Sequence, residues 1–155
     1  MSVIVYVFGD QSAFAEGEIL HRRNGLWLSR GALAEGDMAG GNANAFSFNW
    51  QNPHANPIIV TRLVLDITTP GGVGAGELDA GSAAGTGVHS DNLIDGVDPA
   101  VQTVYDNFGD PGANGKFKQR LDANGGAVAW ITCQILLQNE AALAGRYYIE
   151  YIEVI

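Results

Sequence analysis

The sequence predicts an all-β chain, an antiparallel β-sandwich of jelly-roll type carrying an N-terminal arm with a hairpin. Three observations carry that prediction. Apolar residues fill 46% of the 155 positions and charged residues only 16%, enough material for one closed core and the reverse of a disordered composition. The 21 glycines follow no collagen-like period, so they mark turns, and many turns imply many short strands. From residue 44 onward, turn signals recur at roughly 8–12-residue intervals, the spacing of a sandwich or barrel, and no segment holds a helical apolar period. The segmentation divides the chain into an arm at 1–43 and a sandwich at 44–155. Other Greek-key sandwiches fit the same strand count.

Val3 to Phe8 is β-branched and aromatic and reads as a strand; it lacks the basic leader and small-residue cleavage site of a signal peptide. Asn24-Gly25, between Ile19–Arg23 and Leu26–Ser29, accepts the positive φ angles of a type I′ turn and predicts a hairpin. Residues 31–44, dominated by Gly, Ala, Asn and Asp, read as an irregular arm or linker. Phe46, Phe48 and Trp50 then alternate with Ser47 and Asn49, until Asn52-Pro53 and Asn56-Pro57 break the strand. Ile58 to Thr68 is the longest run. Ile59, Leu63, Leu65 and Ile67 are expected on one face with Thr61, and Arg62, Asp66 and Thr68 on the other.

Shorter strands are expected at Glu77–Ala80, Val88–Ile94, Val101–Phe108 and Lys116–Leu121, with a helical turn after Asp98-Pro99 as the alternative for the third. A long strand at Ala127–Leu137 and a Tyr-rich one at Arg146–Ile155, after a connector at Asn139–Gly145, close the chain. That makes about eight strands from residue 44 onward. Strands as β-prone as the first and the last need pairing partners, within the chain or in another subunit.

Acidic residues outnumber basic ones 17 to 8, a formal charge of −9, which repels phosphate backbones and argues against nucleic acid as a partner. No apolar run approaches ~18 residues, so no helical membrane span is expected. Cys133 is the only cysteine, which excludes an internal disulfide.

No motif demands an active site, and neither a catalytic residue nor a cofactor is expected. The stretch Gly71-Gly72-Val73-Gly74-Ala75-Gly76 lacks the Lys-Ser/Thr and helix that cradle phosphate, and reads as a loop. Cys133, among Ile131, Ile135 and Leu137, reads as a small buried hydrophobe. His89-Ser90-Asp91 holds the triad residue types, but strand neighbours point to opposite faces. His21, His54 and His89 have no metal-ligand spacing. Asp91, Asp95 and Asp98, with Asn92, are the one candidate cation site; hard oxygen donors in a loop suit Ca²⁺, and the same residues serve equally as turn formers.

Lys116, Lys118 and Arg120 recur at every second position, which on a strand makes one basic stripe. It reads either as an edge-guarding face or as a contact for an acidic neighbour, including another copy of this chain. Arg22, Arg23 and Trp27, flanking the hairpin turn, complete the candidate partner-binding residues. Trp27, Trp50 and Trp130 with Tyr147, Tyr148 and Tyr151 read as core or interface anchors or as a sugar-stacking platform.

Five stretches carry a resemblance: Phe-Asn-Trp-Gln-Asn-Pro at 48–53, Val-Leu-Asp-Ile-Thr-Thr at 64–69, Ser-Asp-Asn-Leu-Ile-Asp-Gly at 90–96, Asn-Gly-Lys at 114–116, and the closing Tyr-rich strand. Over about residues 45–155 the chain resembles capsid decoration (cement) proteins of tailed bacteriophages. The resemblance implies a jelly-roll-like domain, often a homotrimer, bound to the major capsid protein on the virion exterior, with no catalytic residues. Residues 1–43 lie outside it. A carbohydrate- or receptor-binding jelly-roll module is the alternative, and a cupin-like metal enzyme a third reading that three scattered histidines serve poorly.

Overall fold

The computed structural model of the chain describes residues 19–23, 26–72 and 74–154, with side chains from residue 32 onward. The expected strand at Val3 to Phe8 and the turn residues Asn24 and Gly25 lie outside the described residues. The described residues form ten strands: β1 (Ile19–Arg23), β2 (Leu26–Gly41), β3 (Phe46–Gln51), β4 (Ile58–Thr69), β5 (Glu77–Ala83), β6 (Ile94–Val97), β7 (Val104–Asp106), β8 (Gln119–Leu121), β9 (Trp130–Leu136) and β10 (Glu140–Glu153). Eight of them follow residue 44, the number the turn spacing predicts.

All pairs are antiparallel. The larger sheet runs β1-β2-β10-β4-β7, with β8 also paired to β4, and the smaller runs β3-β9-β5-β6. The two pack face to face as a β-sandwich, all-β as the composition predicts. Period-two alternation builds the core between them. Leu63, Leu65 and Ile67 of β4 and Tyr147, Ile149 and Tyr151 of β10 meet Phe48 of β3, Leu78 and Ala80 of β5, and Ile131, Cys133 and Ile135 of β9. Phe48 and Tyr147 stack across the layers with ring centroids 4.0 Å apart. Each fully buried aliphatic side chain contributes about 1.5–3 kcal/mol relative to exposure.

Residues 31–41 are not irregular: they continue β2, which pairs with β10 from Ile152↔Gly31 to Gly41↔Glu140. Gly, Ala, Asp and Glu have poor strand propensity, yet here packing overrides it. Ala32 and Ala34 lie against the core and Met38 is buried in it, while Leu33, Glu35 and Asp37 point outward. The small inward residues leave room for the large tyrosines of β10. The predicted hairpin is borne out by β1–β2 pairing, with Arg23 opposite Leu26.

β4 departs from a single alternation. Ile58 and Val60 are buried, Thr61 and Arg62 both turn outward, and burial resumes at Leu63, Leu65 and Ile67. The register against β10 slips at the same place, from Arg62↔Glu150 to Val60↔Tyr151, so Thr61 is an extra residue of a β-bulge. The bulge turns Ile58 and Val60 to the core in place of Ile59, which the unbroken alternation had placed there. Elsewhere, β10 begins at Glu140, inside the expected connector; β6 starts only at Ile94, the last residue of the expected Val88–Ile94 strand; β7 and β8 keep only three residues each.

Candidate functional site

The far edge of the larger sheet is held together by one side chain. β7 and β8 pair with successive parts of β4, Tyr105 with Leu65 and Leu121 with Ile58. Asn107, fully buried just beyond β7, ties the three segments. Its Oδ1 accepts the Leu63 N–H at 2.8 Å, its own N–H donates to the Leu63 carbonyl at 3.2 Å, and its Nδ2 donates to the carbonyls of Lys116 (3.2 Å) and Phe117 (3.0 Å).

Asp106 shapes the next turn. Its Oδ1 accepts the N–H groups of Phe108 and Gly109, both at 2.8 Å, and its Oδ2 meets Arg62 at 2.7 Å. Burial raises the Asp106 pKa, but the Gly109 and Phe108 N–H groups and Arg62 outweigh it and hold the carboxyl below its ordinary value.

These bonds bring Phe108 and Phe117 side by side. Their rings stack with centroids 5.4 Å apart and planes 22° apart, yet remain 51% and 59% exposed. Lys116, Lys118 and Arg120 are exposed around them, and none is in an ion pair among the described residues.

The predicted stripe is therefore built differently from expectation. Only Gln119–Leu121 is strand, so Lys116 and Lys118 owe their exposure to the Asn107-held loop and not to strand alternation. Alternation would also have hidden Phe117 on the opposite face, which is why the ridge was not foreseen. Arg22, Arg23 and Trp27 lie at the other edge of the same sheet, with Arg22 the register partner of Trp27. The structure thus does not bring the two basic groups together.

The acidic candidates regroup. Carboxylate oxygens of Asp91 and Asp95 lie within 4.8 Å of one another and of Asp79, whereas Asp98 instead accepts the Ala100 N–H at 2.8 Å in the turn after β6. Asp79, 5% exposed on β5, falls on the opposite face from Leu78 and Ala80, a placement that alternation alone could have flagged. Three hard carboxylates are donors of the type Ca²⁺ takes, but each already accepts hydrogen bonds. Asp79 takes the Gly96 N–H and meets His89 Nε2, both at 2.8 Å; Asp91 takes the Asn114 amide at 2.9 Å; Asp95 takes the N–H groups of Ala113 (3.0 Å) and Asn114 (2.9 Å).

The chain leading into this cluster straps the outer face of the smaller sheet. Gly87 N–H donates to Asn49 Oδ1 at 3.3 Å, Thr132 Oγ1 donates to the Val88 carbonyl at 2.8 Å, and Asn92 Nδ2 donates to Ser82 Oγ at 2.8 Å. Gly81 permits the approach, since a Cβ there would lie 2.5 Å from both Ser90 Oγ and Asn92 Oδ1.

Other reactive types stay apart. Cys133 is buried in the core, and burial, with Asp79 as a lesser cause, pushes its thiol far above the ordinary range. His89 pairs with Asp79 rather than with Asp91, its neighbour in the triad-like run. His54 lies 3.0 Å from the Tyr151 hydroxyl and 3.7 Å from Glu153. Trp50 is half-buried and tilts 44° against Tyr151, so the two offer no flat stacking face, and Trp130 lies half-buried on β9. One ionisable group was missed by sequence reasoning: Glu140, 1% exposed, packs against Gly71 and Gly76, and its Oε2 has no hydrogen-bond partner among the described residues.

No family model, curated protein or solved structure matches this chain.

Proposed function

We propose that this is a non-enzymatic structural protein that binds the exterior of a phage capsid and stabilises it, with several copies, three in the resemblance, acting together. The exposed Phe108–Phe117 stack carries the reading. A rigid sandwich edge spends four hydrogen bonds of a buried asparagine to hold two aromatic rings in water, and such rings are the usual anchors of a contact surface. The strand orders β2-β10-β4-β7 and β3-β9-β5-β6, in which the chain passes back and forth between layers, support the jelly-roll form of the fold. The stretches that resemble decoration proteins lie on β3 and the turn after it, on β4, at the end of the strap, in the loop before β8 and on β10, so they support architecture rather than chemistry.

Binding would add buried area between capsid subunits at about 25 cal/mol per Å² before ordering costs. Many copies would then resist deformation of the shell together. Cosedimentation with purified phage capsids is the test. Pelleting that Phe108→Ser and Phe117→Ser abolish is the expected result, and a protein left in the supernatant at micromolar concentration removes the reading.

A further inference from the structure

The described side chains include five of the eight basic residues. Arg62 pairs with Asp106 and Arg146 with Glu35 and Asp37, while Lys116, Lys118 and Arg120 are in no ion pair among the described residues. All the uncompensated positive charge among those five therefore gathers at one place, around two exposed rings, on a chain of net charge −9. The strongest acidic grouping lies one turn away. The Asn114 amide holds Asp91, the N–H groups of Ala113 and Asn114 hold Asp95, and the Lys116 N–H donates to the Asn92 carbonyl at 2.9 Å. The cations follow that turn directly, yet they do not fold back onto Asp91 or Asp95, both only half-buried.

Opposite charges side by side on one surface, each unsatisfied by the other, are satisfied when two copies meet. The basic part of one then faces the acidic part of the next, and the rings lose water at the centre of the contact. We propose that the Phe108–Phe117 ridge, with Lys116, Lys118 and Arg120, docks on the Asp91–Asp95 side of a second copy of this chain. Aromatic rings supply the buried anchor, and the flanking charges fix which face is met. The inference deepens the functional reading above, in that the ridge joins the copies that act together and capsid binding depends on it through their assembly. A chain that associates through this ridge but never pellets with capsids leaves the docking surface standing and removes the capsid role.

Sedimentation equilibrium of the full chain tests it. Association is expected at about 0.1 mM protein. It should weaken at about 1 M salt, where charge screening acts within about 3 Å. Lys118→Glu and Asp91→Lys are each expected to weaken association about tenfold. Their equimolar mixture is expected to restore it, because the swapped charges meet across the contact. Restoration also shows that both variants are folded. Phe117→Ser is expected to abolish association with the thermal midpoint little changed. A wild type that stays monomeric at that concentration, or a mixture that associates no better than either variant alone, overturns the proposal.

Discussion

The ring of Tyr147 lies directly over Gly36, its register partner across the β10–β2 pair, so closely that a Cβ on Gly36 would sit 2.5 Å from the Tyr147 hydroxyl oxygen. The ring is not free to move away, because its other side stacks on Phe48. Gly36→Ala is expected to destabilise the fold by about 1–3 kcal/mol, the cost of forcing extra volume into a packed core. Denaturant unfolding measures it, and a midpoint equal to wild type shows that the ring has room.

Asn107 is the next point of leverage. Asn107→Ala leaves the buried Leu63 N–H without its side-chain acceptor and two carbonyls without their donor, at an expected cost of about 1–3 kcal/mol. Asn107→Asp keeps the acceptor and removes both donors, setting a carboxylate against the carbonyls of Lys116 and Phe117. It is expected to be the more damaging change near neutrality and to recover partly in acid, when the carboxyl can donate. Equal loss at both pH values in urea titrations contradicts this account of the clasp.

Glu140 gives the fold a pH dependence of definite sign. Burial, and secondly the charge of Asp98, hold its carboxyl above the ordinary value of 4.5. A raised folded value means the protonated form is favoured by folding. The contribution is therefore complete below 4.5 and is lost as pH rises through the raised folded value. Glu140→Gln keeps a neutral group of the same shape. It is expected to match wild type in acid and to exceed it near neutrality, the gap in unfolding midpoint opening as pH rises. A gap that closes with rising pH reverses the assignment.

Cys133 is expected to be inert in the folded protein. Its thiol is both sealed in the core and held in the protonated form, and only a thiolate attacks a disulfide reagent. Labelling should therefore follow the unfolding equilibrium, with the rate rising in step with urea. Prompt stoichiometric labelling in native buffer would show that the β9 core opens readily.

Much of the sandwich was legible because its strands follow apolar alternation: Phe48 and Trp50 on β3, Leu63 to Ile67 on β4, Tyr147 and Tyr151 on β10. The failures have local causes. Residues 31–41 carry the same alternation in Ala32, Ala34, Gly36 and Met38, but small residues mask it, and their value lies in what they leave space for. At the bulge, Thr61 Oγ1 donates to the Glu150 carbonyl of the neighbouring strand at 3.1 Å, a contact between distant positions that no local pattern records. At the candidate site the cations were found and the rings were not. Their exposure depends on Asn107, and a lone asparagine in a loop gives no sign that it will be the buried tie of three segments. Asp79 joins Asp91 and Asp95 only through the strap's path over the smaller sheet.

The central place of β10 governs the order in which this molecule can be made. Arg146 and Asp37, partners across β10 and β2, are separated by 109 positions, and β10 is also the partner of β4. Until that segment leaves the ribosome, β2 and β4 expose bare hydrogen-bonding edges beside apolar side chains. Such edges recruit neighbouring nascent chains, and pairings this distant form slowly. The larger sheet thus cannot close before residues 140–153 are made, and a polypeptide cut before residue 140 lacks the strand that joins β2 to β4.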